Sequence, residues 1–152
     1  MAVMTGATLA TPVSATSSSY TPQAGPDVAM MHQVVTLGTA AVGNAGSLVV
    51  GYLPKGALVI DAKMAVTDVD TGAAYVCSLG DASDLSRFIN AGTVGQAAGV
   101  LRAGNDATAA AKMAALTPYA ADTAIMFNTI TPAGTAAAGT ATIDVMYIVP
   151  RS

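Results

Sequence analysis

The chain has 152 residues, a mass of 14.9 kDa and a formal net charge of −3, and it is built mostly from 33 Ala, 18 Thr and 15 Gly, with no Glu, no Trp, one His (His32) and one Cys (Cys77). That composition excludes an intrachain disulfide framework and a structural zinc site of Cys and His within one chain, which needs about four such ligands. The pI near 4.6 argues against nucleic-acid binding as the main task, and any pair of catalytic carboxylates would have to be aspartates.

Residues 1–27 (MAVMTGATLATPVSATSSSYTPQAGPD) carry Pro12, Pro22 and Pro26 and no sustained period of 2 or 3.6. Such a segment cannot bury enough apolar surface to offset its ordering entropy, so it reads as an extended N-terminal arm, ordered only where it lies on a partner, with a frayed terminus as the competing reading. A signal peptide is disfavoured, because the first residues contain no Lys or Arg and Thr and Pro interrupt the apolar run.

Residues 28–152 read as one sandwich domain, a length that can bury a real core. The first strand is expected at 29–37, ending at Gly38, and the second at 47–53, after a Gly43-Asn44-Ala45-Gly46 turn. After the Pro54-Lys55-Gly56 turn, residues 57–69 alternate most clearly: Leu58, Ile60, Ala62, Met64 and Val66 on a buried face, with Asp61, Lys63 and Thr67 on a wet one. Asp70-Thr71-Gly72 turns the chain into 73–79, with Tyr75, Cys77 and Leu79 on one face. Region 88–121 leaves two readings open. Asp106 caps a helix over 107–116 that Pro118 ends, or the region is a loop with a strand at 114–119. Strands at 124–130 and 141–149 close the chain, the last with Ala141, Ile143, Val145, Tyr147 and Val149 on one face. Six to eight short strands between Gly, Pro and Asn turns predict an all-β antiparallel sandwich or barrel.

The 53% hydrophobic content falls to 47 residues once Ala is set aside, and no apolar run approaches the roughly 18 residues of a spanning helix. Charged residues are only 10%, against roughly 25% in an ordinary soluble domain. A surface tiled with Ala, Thr, Ser and Gly hydrates poorly, so the chain is expected to live against copies of itself or a larger partner.

Candidate chemistry is sparse. Asp68-Val69-Asp70-Thr71-Gly72 has the spacing that opens a calcium loop, which makes Asp68 and Asp70 the candidates for a cation, but the twelfth position holds Leu79 where a bidentate Glu is required. The preferred reading is a turn with solvated aspartates, and no metal or other cofactor is expected. In 80–88 (GDASDLSRF), Asp81 and Asp84 lie near Arg87 in a structural loop anchored by Phe88. His32 and Cys77 do not make a nucleophile and base, because nothing near Cys77 would lower its thiol pKa; Cys77 reads as a small buried hydrophobe. The glycines of 92–95 lack the spacing of a phosphate loop. No catalytic residue is predicted.

Residues 51–60 (GYLPKGALVI), the alternating strand, the Asp-Thr-Gly turn and 75–88, with Asp122-Thr123-Ala124-Ile125 and the final strand 141–149, resemble small tailed-bacteriophage head-decoration (cement) proteins of β-sandwich or jelly-roll type. The resemblance covers about 48–150 and does not extend to the Ala-rich 103–121. It implies a jelly-roll-like sandwich on the capsid exterior of the virion, bound to the major capsid protein, often as a homotrimer, with the N-terminal arm gripping neighbours. Capsid contact would then fall within the arm, including Tyr20. No nucleic acid, membrane or enzymatic activity is implied. The competing function is a glycan- or receptor-binding module of a phage head or tail fibre, against which stand the missing Trp and the 5% aromatic content.

Overall fold

The computed structural model describes residues 27–149; residues 1–26 of the predicted arm, with Tyr20, lie outside them, and Asp27, its last residue, opens the first strand. The elements follow in the order β1 (Asp27–Leu37), α1 (Thr39–Val42), β2 (Gly46–Leu53), β3 (Leu58–Val66), β4 (Val76–Asp81), β5 (Asp84–Gly92), β6 (Gly99–Arg102), α2 (Ala107–Ala114), β7 (Thr123–Thr131) and β8 (Gly139–Val149). They form two four-stranded sheets in the orders β1-β8-β3-β6 and β2-β7-β4-β5, every pair antiparallel. Apart from the β4–β5 hairpin, no two consecutive strands are paired neighbours. The chain crosses from sheet to sheet, so β8 pairs between β1 and β3 and β7 between β2 and β4. Eight strands in this order are a jelly roll, the predicted sandwich in its double-sheet form.

The inner faces interdigitate around Met64, Tyr75, Leu79, Phe88, Ile89, Ile125, Phe127, Ile143 and Val145, all essentially inaccessible to water. Ala62, Met64 and Val66 of β3 face inward as the alternation requires, as do Ala141, Ile143 and Val145 of β8. The period breaks at Ile60, which is 43% exposed while Val59 is buried. The register between β3 and β8 shifts between Val59 and Asp61. A bulge inserts one residue and flips the phase of everything before it.

Two other expectations change. The loop predicted over 80–88 is a hairpin whose turn is only Ala82 and Ser83; β5 begins at Asp84, and Phe88 and Ile89 are core residues of that strand. Of the two readings left open for 103–121, the helix forms. Asp106 accepts a hydrogen bond from the Ala109 N–H at 2.8 Å, the cap that the sequence offered. The helix ends at Ala114, two residues short of the predicted end, and no strand forms at 114–119. Strand β6 was not anticipated; four residues with two glycines nearby carry little periodic signal.

The tightness of the β4–β5 hairpin depends on Gly80. A Cβ there would meet the backbone of Asp84, Leu85 and Arg87. Gly80→Ala is therefore expected to cost about 1–3 kcal/mol, as overpacking does, read as a lower midpoint in urea with an unchanged slope.

Candidate functional site

The two buried carboxylates are fasteners. Asp70 is fully buried. Its Oδ1 accepts the N–H groups of Gly72 (2.8 Å) and Thr135 (2.9 Å), and its Oδ2 those of Ala74 (2.6 Å) and Tyr75 (2.7 Å). Burial would raise its pKa, but the backbone donors from Thr135, Ala74 and Gly72 outweigh it and hold the carboxyl well below the usual range. The carboxylate thus ties the β3–β4 connection to the β7–β8 connection. Asp68 only accepts the Asp70 N–H at 3.3 Å. The two residues suggested for a cation are neighbours, but the lone pairs of Asp70 are aimed at N–H donors. Among the described residues no group of three or more His, Cys, Asp or Glu is placed to hold a metal ion.

Asp81 is the second fastener, also fully buried. Its Oδ1 accepts the N–H groups of Ser83 and Asp84, both at 2.9 Å, and the Ser83 hydroxyl at 2.8 Å. Its Oδ2 takes the Arg87 Nε and the Tyr119 hydroxyl, the latter at 2.7 Å. Burial raises its pKa, and the hydrogen bonds from Arg87, Tyr119 and Ser83 bring it below the usual range. The predicted Asp81–Arg87 pair is present. Asp84 instead accepts from Lys112 Nζ at 3.0 Å, joining α2 to β5. Tyr119 and Lys112 are the partners that sequence spacing missed, since each comes from more than 25 residues away.

His32 and Cys77 do not meet. His32 lies on β1, with Nδ1 2.5 Å from Asp144 Oδ1 on β8, and Lys63 Nζ reaches the other oxygen at 2.8 Å. Cys77 is buried on β4 in the other sheet, where burial pushes its thiol up to about 12. A thiol reagent such as DTNB at pH 8 is expected to find no reactive thiol in the native protein and one after denaturation.

What remains is surface. The outer face of the sheet containing β1 carries a row of paired charges, His32–Asp144–Lys63 and Asp61–Arg102 (2.7 Å), between exposed apolar residues that include Met30, Met146, Val34 and Val100. A shallow cleft of about 210 Å³ lies beside β2, lined by Leu37, Ala41, Leu48, Phe127 and Thr129. No helix among the described residues is long and apolar enough to cross a membrane. The arrangement can hold a fold rigid and offer surfaces for contact.

No protein-family model matches the chain, and no curated protein sequence does. Solved structures do. The chain is similar to one in the capsid of Ralstonia phage GP4, with a TM-score of 0.69 and 25% identity over 87% of this chain and 90% of that one. It is similar to one in the capsid asymmetric unit of cyanophage Pam1 (TM-score 0.62, 24% identity, 98% of each chain). A third is in the acidic stable capsid of Helicobacter pylori bacteriophage KHP30 (0.55, 12%, 83% of this chain and 94% of that one). At 24% and 12% identity the likeness is one of fold. The jelly roll described above is thus one found in phage capsids.

Proposed function

We propose that the chain is a structural virion protein that binds the outer surface of a bacteriophage capsid and stabilises it, as a decoration or cement protein. The observation that carries this reading is the match to the Ralstonia phage GP4 capsid chain, which spans nearly all of both chains. The two chains are thus of similar length, which supports reading this one as a small accessory protein of the shell. The charge-poor surface supports the same reading, because extended contact with a shell is cheaper when few charges must be desolvated. In this reading the partner is the major capsid protein, the protein sits on the capsid exterior as a homotrimer, residues 1–27 help it attach, and the role is not enzymatic. Many weak contacts repeated over the shell supply the avidity. A glycan-binding module fits less well: among the described residues Tyr52 is the one strongly exposed aromatic, and Tyr75, Phe88 and Phe127 are buried.

The test is co-sedimentation with capsids stripped of, or assembled without, this protein. Saturable binding, and capsids that survive a higher temperature once decorated, are expected. Protein that stays in the supernatant while binding a glycan array would overturn the proposal. Removing residues 1–26 is expected to leave the sandwich folded and weaken attachment.

A further inference from the structure

The two flanks of the sandwich treat their strand edges in opposite ways. At one flank the edges are β5 and β6. Strand β6 is only four residues long, and α2 packs against β5. The side chain of Asn105 accepts from the Asn90 N–H at 2.8 Å and donates to the Asn90 carbonyl at 2.7 Å, in the place of a neighbouring strand. Gly104 N–H adds a bond to the Phe88 carbonyl at 2.9 Å. Arg102, Asp106, Lys112 and Asp84 bring charge to the same side. A short edge, a covered edge and charges are the usual means of keeping other chains off.

At the other flank the edges are β1 and β2, and among the described residues β1 is neither short nor paired on its outer side and carries one charge, Asp27 at its first position. It is eleven residues long, pairs with β8 in one unbroken register and contains no Pro, Lys or Arg. Strand β2 is interrupted only by a register shift between Val49 and Gly51. Residues 28–54 contain no Asp, Glu, Lys or Arg at all, although the chain as a whole carries a net charge of −3. The same stretch holds six of the ten exposed large hydrophobic residues among those described: Val28, Met30, Val34, Leu48, Val49 and Tyr52.

We propose that the β1–β2 flank is where copies of this chain meet, with the outer edge of β1, open among the described residues, as the strand that pairs. This rests on the reading of the chain as an assembling virion protein and names the contact between its copies. A second copy is the occupant for two reasons. A contact between identical negatively charged chains is best placed where each brings as little charge as it can, whereas a site for a different protein is ordinarily marked by complementary charges that orient it. The size also fits. Eleven residues at ~3.3 Å each, across two sheets ~10 Å apart with their side chains, give roughly 700 Å² per copy, close to the ~800 Å² per partner of a stable interface. Asp27 at one end and His32, held by Asp144 with Lys63 behind it, are the titratable groups at this edge.

The test uses the full chain and three single variants in light scattering after size exclusion, each checked by thermal unfolding. Val34→Lys and Val49→Lys place a charge on the two edges. Val100→Lys is the control: Val100 is 58% exposed on the guarded flank, against 59% for Val34. The expected result is an oligomeric wild type, self-association weakened about 100-fold or more by either flank variant, and no change with Val100→Lys. The proposal is overturned if the wild type is monomeric at micromolar concentration, if folded Val34→Lys and Val49→Lys keep the wild-type mass, if Val100→Lys dissociates it equally, or if only removal of residues 1–26 does so. Co-sedimentation with capsids, run in parallel, separates the two readings: a monomer that still binds capsids overturns this inference alone, and an oligomer that ignores them overturns the capsid role alone.

Discussion

Asp70→Ala is expected to lower the melting temperature by about 10 °C or more, among the largest losses any single side chain in this fold can cause. The residue buries a carboxylate that accepts four backbone N–H groups, from Gly72, Ala74, Tyr75 and Thr135. Truncation takes the acceptor from all four donors; water can reach the exposed Gly72 and Thr135, but the N–H of the buried Tyr75 is left unsatisfied, and the cost of an unsatisfied buried donor exceeds the gain from making the bond. The damage reaches beyond the turn. Thr135 belongs to the β7–β8 connection, and Tyr75 follows directly in the chain, packing in the core with its hydroxyl 3.1 Å from Thr129 Oγ1. Thermal unfolding followed by circular dichroism measures the effect. Asp70→Asn should recover only part of the loss, because its amide has one acceptor oxygen for four donors. A melting temperature within a few degrees of wild type for Asp70→Ala would show that the turn rearranges to satisfy its own backbone.

The same residue shows what a sequence discloses and what it withholds. Asp70-Thr71-Gly72 is legible as a turn, because Asp and Gly at that spacing have a local reason to be there. That the carboxylate also reaches Thr135, 65 positions away, follows from the crossing of the chain between sheets and leaves no local trace. The strands with clean alternation, β3 after its bulge and β8, were legible for the same local reason, as was the Asp106 cap. Ile60 misled because a bulge changes phase without changing composition. The 80–88 segment reads as a loop because Asp81, Ser83, Asp84 and Ser86 are turn formers, but their side chains hydrogen-bond to the hairpin itself and leave the strand intact. The contact surface was legible only as a bulk property, too few charges for a free monomer. Its proposed place on one flank rests on which strands lie at the sheet edges among the described residues.

Asp81→Asn is expected to cost about 3 kcal/mol and to flatten the fall of stability in acid. The substitution keeps the shape but removes the charge that Arg87 and Tyr119 are arranged around. Breaking a buried ion pair from one side costs roughly 3–5 kcal/mol, and the lower end applies because the Arg87 side chain is 24% exposed and water can compensate it in part. The sign of the pH effect follows from the lowered pKa of the folded state. In the unfolded chain Asp81 titrates near the ordinary value of about 3.9. Above that pH both states are ionised and the stabilisation is present in full. As the pH falls below about 4, the unfolded state takes up the proton first, and stability declines until the folded carboxyl titrates as well. One such group contributes a slope of up to about 1.4 kcal/mol per pH unit. Urea unfolding from pH 7 down to pH 2.5 should therefore show wild type and variant converging in acid, with the gap closing below pH 4. Asp70, Asp84 and Asp144, whose carboxyls are also held low, keep the remaining acid dependence in the variant. A constant gap across the whole range would mean that the loss comes from packing around the hairpin and not from the charge.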